Sequence, residues 1–369
     1  MRVLYVIDDG VHRSGQEVTL KNWVPTFAAL REHGIDLDVV SLRSHVLDDP
    51  VHVLGGEHAS LASAARVPIH RLIRLRNRID AAQYSLVHAN EVVPCFLSGL
   101  ARLGRKTPRL VFHRHHERSA GAHGMLSKTA ARLADVTFAE SQAVARAAHD
   151  LDHVARERVR LVPHGTQPLR VVAESELSRV RRDLSIPADA LVVTVVARLR
   201  PEKGLDVLIA AADRAAPRLH RELHLIFVGD GPEATRLGRQ LHERHEFVAH
   251  MVGHDPDVAR WFALADVVAV PSLSEPFGLV VIEAMAGRRP VVASNVGGPA
   301  DIVVHGKTGL LVRPGDSADL GDGIVSLLEE PAAARRMGDA GYERYRQRYT
   351  LDAMITEWVV AYKELLDRK

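Results

Sequence analysis

The stretch VVAVPSLSEPFGLVVIEAMA, residues 267–286, has the pattern of a buried strand, a tight turn and a helix. Its first four residues are apolar, as in a strand of a covered parallel sheet. Pro276 suits the turn, and Gly278 permits a ligand to approach the backbone closely. Ligands of open α/β sheets bind where strands end in this way. The stretch therefore predicts an α/β fold with a binding site at the turn.

Two carboxylates, Glu275 and Glu283, lie eight residues apart in this stretch. If the turn opens a helix, Glu283 follows two helical turns later and reaches a second polar part of the same ligand. The backbone N–H groups of Phe277, Gly278 and Leu279 would face phosphate or hydroxyl oxygens. This arrangement predicts an elongated, hydroxyl-rich, anionic ligand, although the run taken alone fits an ordinary solvated helix start equally well.

Short apolar runs alternate with helical patterns along the chain, which is typical of βα units. The runs expected as strands are 3–7, 36–40, 86–88, 109–112, 136–139 and 159–162 in the first half, and 191–197, 223–228, 246–251, 267–270, 290–293 and 310–312 in the second. Residues 167–187 are expected to form a linker with a short helix, and residues 341–369 a helix interrupted at Tyr349 and Thr350. The expected fold class is α/β, with two doubly wound parallel sheets and an active-site cleft between the halves.

Length and composition favour a soluble, two-domain protein. The chain has 369 residues, of which 46% are hydrophobic and 25% charged. No apolar run approaches the roughly 18 residues that span a bilayer, and the run 3–7 ends at Asp8 and Asp9, so we expect a strand there and no signal peptide. Cys95 is the single cysteine, which excludes an intramolecular disulfide and a cysteine-based zinc site. These features predict a cytoplasmic location.

The formal net charge of +2 argues against a dedicated nucleic-acid binder. Five arginines nevertheless crowd the segment 66–79, interleaved with Leu and Ile, in the pattern of a basic amphipathic helix. Two interpretations stay open. The segment is either a solvated helix whose apolar side packs on the sheet, or a surface for peripheral contact with an anionic membrane.

Arg198 and Lys203 follow the expected strand 191–197, in a loop that precedes an amphipathic helix. Arg198 can donate hydrogen bonds to two phosphate oxygens at once, and Lys203 adds a compact positive charge. The pair fits a diphosphate that gains negative charge as it leaves, whereas elsewhere such a pair is an ordinary surface ion-pair site. The run 229–234 matches the dinucleotide pattern G-x-G-x-x-A only superficially, because no acidic residue follows at the required distance.

The motifs of the second half occur in a characteristic order. They are Arg198, Lys203, Gly229-Asp230-Gly231-Pro232-Glu233, Ala265-Asp266-Val267, Glu275-Pro276-Phe277-Gly278, Glu283-Ala284-Met285-Ala286, Pro290-Val291-Val292-Ala293, Gly297-Gly298 and Thr308-Gly309-Leu310-Leu311-Val312. Over nearly all of residues 190–330 this order closely resembles the retaining glycosyltransferases of family 4. The resemblance implies the GT-B fold, in which two Rossmann-like domains face a central cleft. It also implies a nucleotide-sugar donor, retention of anomeric configuration, and neither a metal nor a cofactor.

The resemblance also assigns roles to individual residues. Arg198 and Lys203 would hold the donor diphosphate, Glu283 the nucleotide ribose, and Glu275 with the amides of 277–279 the donor sugar. In the domain organisation that it implies, residues 1–167 bind the acceptor and 168–345 the donor. Residues 346–369 would form a helix that crosses back to the N-terminal domain.

The first half matches the family more loosely. Ser14-Gly15-Gln16-Glu17 resembles the family's glycine-rich loop, with Ser14 in place of a usual glycine and Gly15 as the residue that approaches the donor phosphates. Val87-His88-Ala89-Asn90 and Val111-Phe112-His113-Arg114-His115 resemble two further strand ends of the family, the second of which usually ends in a histidine near the reacting sugar. By spacing this is His115, with His113 and His116 as competitors among 21 histidines. Three clustered imidazoles without a carboxylate-rich partner are a weak metal signal, so no metal site is expected.

Three positions depart from the family pattern. Arg288 stands where a glycine is general, and His164 and Gln167 stand where asparagine and aspartate are common. None of them is a donor residue named above, so activity is still expected.

The expected function is therefore metal-independent transfer of a sugar from a nucleoside-diphosphate sugar, UDP- or GDP-linked, to an acceptor hydroxyl that the sequence leaves open. One alternative is a metal-dependent GT-A-like transferase using one of the Asp-x-Asp pairs 36/38, 150/152 and 255/257. A second is a nucleotide-sugar epimerase or phosphorylase on the same fold. A third is a non-catalytic scaffold that binds a nucleotide-sugar without turning it over.

Overall fold

The computed structural model describes residues 1–7, 16–42, 51–53, 69–117, 121–243 and 245–368. Its chain divides into two units, a first unit of Met1–Pro163 with Leu351–Lys369 and a second unit of His164–Thr350. The sequence-based boundaries, 167/168 and 345/346, fall a few residues from these points. In the second unit the Thr166 backbone N–H donates to the Tyr349 carbonyl, and the Tyr345 hydroxyl donates to the Thr166 carbonyl.

The first unit contains a parallel sheet of seven strands in the order β3-β2-β1-β4-β5-β6-β7. Its strands are β1 Arg2–Ile7, β2 Asp36–Ser41, β3 Val51–Val53, β4 Leu86–Asn90, β5 Arg109–Arg114, β6 Val136–Ala139 and β7 Val159–Leu161. Strands β2 and β3 lie on one side of β1, and β4 to β7 follow in order on its other side. The carboxyl ends of β1 and β4 therefore mark a topological switch point, where sheets of this kind bind ligands.

In the described ranges, six α-helices belong to this unit. They are α1 Gln16–Glu32, α2 Ile69–Ala82, α3 Val92–Ala101, α4 Gly121–Leu133, α5 Gln142–Asp150 and, from the end of the chain, α14 Leu351–Asp367. Helix α14 contributes Trp358 and Tyr362 to a buried cluster that also contains Tyr5 and Phe138. Residues 351–367 thus complete the core of a unit that begins at Met1.

The second unit contains a parallel sheet of six strands in the order β10-β9-β8-β11-β12-β13. Its strands are β8 Leu191–Val196, β9 Leu223–Val228, β10 Val248–Gly253, β11 Val267–Val270, β12 Val291–Ser294 and β13 Leu310–Val312. Its helices are α6 Glu174–Asp183, α7 Leu205–Ala215, α8 Ala234–Leu241, α9 Ala259–Leu264, α10 Leu279–Ala286, α11 Gly297–Ile302, α12 Ser317–Glu329 and α13 Pro331–Arg348. Here the switch point lies at the carboxyl ends of β8 and β11, which are followed by the loops that carry the predicted donor residues.

The predicted α/β class with two doubly wound parallel sheets is confirmed. The predicted interruption at Tyr349 and Thr350 separates α13 from α14. The sequence did not predict β3, which has only three residues. Helix α10 begins at Leu279, directly after Gly278, which has a left-handed conformation.

No helix in the described ranges combines the length and apolarity that crossing a membrane requires. The arginine-rich segment falls partly on α2, since Arg66 lies outside the described residues. On α2, Arg71 is buried while Arg74 and Arg76 are exposed, and so are the apolar Ile69 and Ile73. Contact of this helix with a membrane stays a prediction.

Candidate active site

Three loops at the carboxyl edge of the second sheet are joined through their backbones. The loop after β8 accepts a hydrogen bond at the Glu202 carbonyl from the Leu273 N–H, 2.8 Å away in the loop after β11. Leu199 N–H donates to the carbonyl of Asp230, in the loop after β9, at 2.9 Å. Gly204 has φ +64°, and a Cβ there would lie 2.1 Å from the Pro271 carbonyl oxygen. The glycine thus allows the loops to pack in direct contact.

Lys203 and Glu275 meet at this edge. The Lys203 Nζ lies 2.5 Å from Glu275 Oε2, and the Ser272 hydroxyl donates to the same oxygen at 3.2 Å. Both charged side chains are mostly buried, with 23% and 15% of their surface exposed. An ion pair shielded in this way holds both groups in fixed positions, so a charged ligand meets a preorganised site.

Arg198 follows β8 in the same loop and is half-buried. Burial and the neighbouring charge of Arg200 lower the pKa of Arg198. A guanidinium stays protonated at neutral pH even so, and its partial desolvation strengthens the attraction that it exerts on an anion.

The predicted amide donors lie at the start of α10. Gly278 has φ +97°, and the N–H groups of Phe277, Gly278 and Leu279 donate to no group within the described ranges. The Phe277 ring is buried and packs against His164, with ring centroids 5.3 Å apart. The turn is also close to α11, since a Cβ on Gly298 would lie 1.8 Å from the Phe277 carbonyl oxygen. A fixed turn with free amide groups suits the binding of oxygen atoms.

Glu283 lies on α10 and is half-buried. Burial raises the pKa of Glu283 to about 7. No group in the described part of the chain donates a hydrogen bond to its carboxylate. A desolvated carboxylate of this kind can accept hydrogen bonds from two neighbouring hydroxyl groups, such as those of a ribose.

His115 lies at the carboxyl edge of the first sheet, directly after β5. Its Nδ1 lies 2.7 Å from the Glu140 carboxylate, and its Nε2 lies 2.5 Å from Asn90 Oδ1. Burial alone would lower the pKa of His115, but the Glu140 and Glu91 carboxylates outweigh it, and the pKa of His115 is raised. With an oxygen facing each ring nitrogen, the site suits the protonated ring.

The two competing histidines occupy different environments. His113 is fully buried, and its Nδ1 lies 3.1 Å from His88 Nε2. His116 is half-exposed, 3.2 Å from Glu91, whose hydrogen bond raises the pKa of His116. His115 and His116 thus have surface at this edge, while His113 lies beneath it. Gly15, the other predicted residue of this half, lies outside the described residues.

The sequence identified Asn90 only as a strand end, without a role, and the prediction missed Glu91 and Glu140. A signal for them existed, because Asn90 ends β4, Glu91 follows it, and Glu140 follows β6. Polar residues at the carboxyl ends of adjacent parallel strands meet at one edge of a sheet. Glu91 also has φ +84° and ψ 174°, a conformation that non-glycine residues adopt rarely and at some cost.

One aspartate of each Asp-x-Asp pair has a structural partner, and the three lie at separate places. Asp38 binds Tyr84 and Arg78, and Asp152 forms a fully buried pair with Arg114 at 2.7 Å. The carboxylate of Asp255 accepts a hydrogen bond from the Trp261 indole at 2.7 Å.

The departure at Arg288 also has a structural explanation. Arg288 has φ +56°, a conformation that favours glycine. Its guanidinium lies over the Tyr342 ring, 3.7 Å from the centroid, and forms an ion pair with Asp339 at 2.8 Å. These contacts offset part of the backbone cost.

Two family models match the chain in order. The model of Glycosyltransferase Family 4 matches residues 14–168, and the model of glycosyl transferases group 1 matches residues 178–344. Between them they span most of the chain, including every candidate residue described above.

Curated relatives carry one recurring name. The D-inositol 3-phosphate glycosyltransferase of Kribbella flavida is 35% identical over 227 residues, which cover 55% of this chain and 52% of the relative. The protein of the same name from Streptomyces avermitilis is 31% identical over 283 residues, covering 70% of this chain and 60% of the relative. The chain thus spans between about half and six-tenths of the length of these relatives.

Solved structures match over nearly the full chain. Anabaena HepE in complex with UDP and glucose has a TM-score of 0.80 at 24% identity, and covers 99% of this chain and 100% of that one. A glycosyltransferase from Rickettsia africae has a TM-score of 0.81 at 17% identity, with coverage of 100% and 99%. Sucrose-phosphate synthase from Thermosynechococcus elongatus has a TM-score of 0.78 at 23% identity, and the match covers 100% of both chains. At these identities the likeness establishes the fold, which is GT-B, and the GT-A alternative is excluded.

Proposed function

The chain belongs to glycosyltransferase family 4, and from that premise we propose that it transfers a sugar from a nucleoside-diphosphate sugar to an acceptor hydroxyl, with retention of anomeric configuration and without a metal ion. The observation that carries the proposal is the edge of the second sheet, where Arg198 and the Lys203–Glu275 pair lie in the loops that follow β8 and β11 at the switch point and the amides of 277–279 stand at the start of α10. Residues 168–345 bind the donor in this proposal, and residues 1–167 bind the acceptor.

The reaction needs stabilisation of the leaving group. As the bond between the sugar carbon and the diphosphate oxygen breaks, negative charge grows on the diphosphate. Arg198 and Lys203 neutralise that charge, so their contribution is greater in the transition state than in the bound donor. The acceptor hydroxyl attacks the same face of the sugar that the diphosphate leaves, and its proton passes to the departing phosphate oxygen.

The other residues bind and orient the donor. Glu275 accepts hydrogen bonds from sugar hydroxyls and lies close to the developing positive charge on the sugar. The amides of Phe277, Gly278 and Leu279 donate to oxygens of the sugar or the phosphate. Glu283 accepts from the two ribose hydroxyls. His115, held by Glu140 and Asn90, positions the reacting sugar or the acceptor.

The comparisons suggest substrates to test first. HepE is described in complex with UDP-glucose, so UDP-sugars are the first donors. The curated relatives act by name on an inositol phosphate, so a polyol phosphate is the first acceptor.

The decisive assay supplies UDP- and GDP-sugars with inositol phosphate in the presence of a chelator. We expect release of the nucleoside diphosphate and a product whose anomeric configuration, measured by NMR, equals that of the donor. Inversion of configuration or a requirement for a divalent cation would contradict the proposed mechanism. Donor binding without any product would favour the scaffold, and isomerised donor without an added acceptor would favour an epimerase.

Arg198→Ala and Lys203→Ala test the diphosphate site. We expect each variant to lower kcat by about 10²- to 10³-fold, the usual effect of removing one group that stabilises transition-state charge. The control is Arg218→Ala, which removes an exposed ion pair with Asp322 elsewhere in the second unit. Full activity in both site variants would overturn the assignment.

A further inference from the structure

Ser272 is a buried residue of the loop after β11, three positions before Glu275. Only 2% of its surface is exposed. Its hydroxyl donates to Glu275 Oε2 at 3.2 Å and has no other hydrogen-bond partner in the described part of the chain. A buried hydroxyl without a partner is costly. The hydroxyl of Ser272 is therefore committed to the Glu275 carboxylate.

Two donors share one oxygen of that carboxylate. Lys203 Nζ lies 2.5 Å from Oε2, the same atom that accepts from Ser272. Among the described residues, none forms a hydrogen bond with Oε1 of Glu275. The terminal torsion of a glutamate is broad, so one ammonium group alone does not fix the plane of the carboxylate. A second donor on the same oxygen fixes that plane, and Oε1 then remains for a ligand.

The two loops are also joined through their main chains, independently of these side chains. The Leu273 N–H donates to the Glu202 carbonyl at 2.8 Å. These two residues adjoin Ser272 and Lys203 in the sequence, so the main chain sets the distance between the loops. Removal of the Ser272 hydroxyl would leave the loops joined, and its main effect would be on the orientation of the Glu275 carboxylate.

We propose that Ser272 is a positioning residue, which orients the Glu275 carboxylate so that one oxygen holds Lys203 and the other faces the donor sugar. The catalytic part of this inference rests on the proposed function, while the coupling of Ser272 to Glu275 does not. The ammonium group of Lys203 has three N–H donors, and Glu275 takes one of them, so two remain for phosphate oxygens. The oriented pair thus links the sugar of the donor to its diphosphate.

The first test is a cycle of thermal-unfolding measurements, which needs no substrate. Ser272→Ala should lower the melting temperature by about 2 to 4 °C, as expected for the loss of one hydrogen bond in a unit of this size. In the Glu275→Ala background the hydroxyl has already lost its acceptor, so adding Ser272→Ala should cause no further decrease. A decrease of equal size in both backgrounds, or none in either, would overturn the proposal.

The second test separates orientation of the carboxylate from folding. With UDP-glucose, or the donor that the assay above identifies, kcat of Ser272→Ala should fall about tenfold, comparable in rate to one hydrogen bond. The donor KM should stay within about twofold, because Lys203 and Glu275 act mainly on charge that develops in the transition state.

The matched control is Thr194→Val, which removes another buried hydroxyl of the second unit. The Thr194 hydroxyl is fully buried in β8 and donates to the Trp261 carbonyl at 3.4 Å. Both constants of this variant should remain within about twofold of those of the unmodified protein, since it changes no residue of the site. An equal loss of kcat in Thr194→Val and Ser272→Ala would show that Ser272 has a structural role only.

Ser272→Thr keeps the hydroxyl group and should retain kcat within about threefold. A tenfold loss in Ser272→Thr at an unchanged melting temperature, or full activity in Ser272→Ala, would overturn the proposal. If the added methyl group of threonine lowers the melting temperature, the unfolding cycle with Glu275→Ala decides. If no form of the protein turns over a donor, the proposed function fails, and the same cycle still shows whether Ser272 acts on Glu275.

Discussion

The carboxyl edges of the two sheets are built by different means. At the edge of the second sheet, the loops after β8, β9 and β11 are joined by backbone hydrogen bonds and by glycines at Gly204 and Gly298 that leave no room for a side chain. At the edge of the first sheet, His115 is held by side chains, between Glu140 and Asn90 at neighbouring strand ends.

This difference separates two kinds of surface. Backbone-to-backbone packing tolerates few substitutions, which under the proposed function suits the diphosphate and ribose of a donor. A network of side chains can be changed one residue at a time, which under the proposed function suits an acceptor that differs between enzymes. We therefore expect substitutions at the second edge to affect folding and donor binding, and those at the first edge to affect protonation.

The largest expected effect is that of Gly298→Ala. A Cβ at this position would lie 1.8 Å from the Phe277 carbonyl oxygen, so α11 or the turn before α10 must move. We expect a loss of about 3 kcal/mol in the free energy of unfolding, the upper range for overpacking, measured by denaturant titration. Gly306→Ala is the control, because its Cβ meets nothing within 4 Å and only its φ of +74° opposes the change. Equal losses in the two variants would contradict the tight packing of this edge.

Glu140→Gln tests the edge of the first sheet. It should lower the free energy of unfolding by less, about 2 kcal/mol at pH 6, as expected for a hydrogen bond to a charged group. Because the pKa of His115 is raised in the folded protein, its stabilising effect is fully present below the unfolded pKa and is lost as pH rises through the folded value. The difference between Glu140→Gln and the unmodified protein should therefore shrink from pH 6 to pH 9. Thermal and denaturant unfolding across this range measure it.

The matched control is Glu357→Gln, which changes an exposed glutamate of α14 in the same unit. Its free energy of unfolding should differ much less from that of the unmodified protein, and the difference should not depend on pH. A cost for Glu140→Gln that stays constant from pH 6 to 9 would argue that His115 is neutral throughout.

The smallest expected effect concerns Glu283 and the affinity for UDP-glucose, whose phosphates do not titrate near neutrality. With a pKa of about 7, Glu283 is largely neutral at pH 6 and ionised at pH 8, and the ionised form accepts hydroxyl donors better. Binding measured by calorimetry should strengthen severalfold over this range. The stability of the free protein changes in the opposite direction. Because the carboxyl pKa is raised in the folded state, the stability that this group contributes is lost as pH rises through about 7.

Glu283→Gln should remove the pH dependence, whereas the exposed Glu329→Gln in the same unit should keep it. Retention of the full dependence in Glu283→Gln would assign the titration to another group and weaken the ribose assignment.

The fold and the loops at the edge of the second sheet follow largely from sequence, since most strands of that sheet are short apolar runs that end in a loop with glycine or charge. The pairing of Lys203 with Glu275 was less accessible, because the two residues are 72 positions apart and nothing local links them. Their positions after β8 and β11 explain the contact only once the strand order is known.

The side-chain network of the first edge was the least accessible part. His113, His115 and His116 are nearly adjacent in sequence, and spacing alone does not say that one is buried while two have surface. The Nδ1 atom of His88 is hydrogen-bonded to the hydroxyl of Tyr362, which lies on α14. No periodicity in the sequence connects these two residues. Contacts between elements that are far apart in the chain can be identified only once the tertiary structure is known.

The placement of α14 has a consequence for the order of events during synthesis. The second unit is one continuous stretch, 164–350, whereas the first unit needs 351–367 as well as its own beginning. Trp358 and Tyr362 fill the centre of its core, so that core cannot close until α14 has left the ribosome. The unit whose translation starts first is therefore the last to reach its native state, and its sheet must wait through the synthesis of the whole second unit.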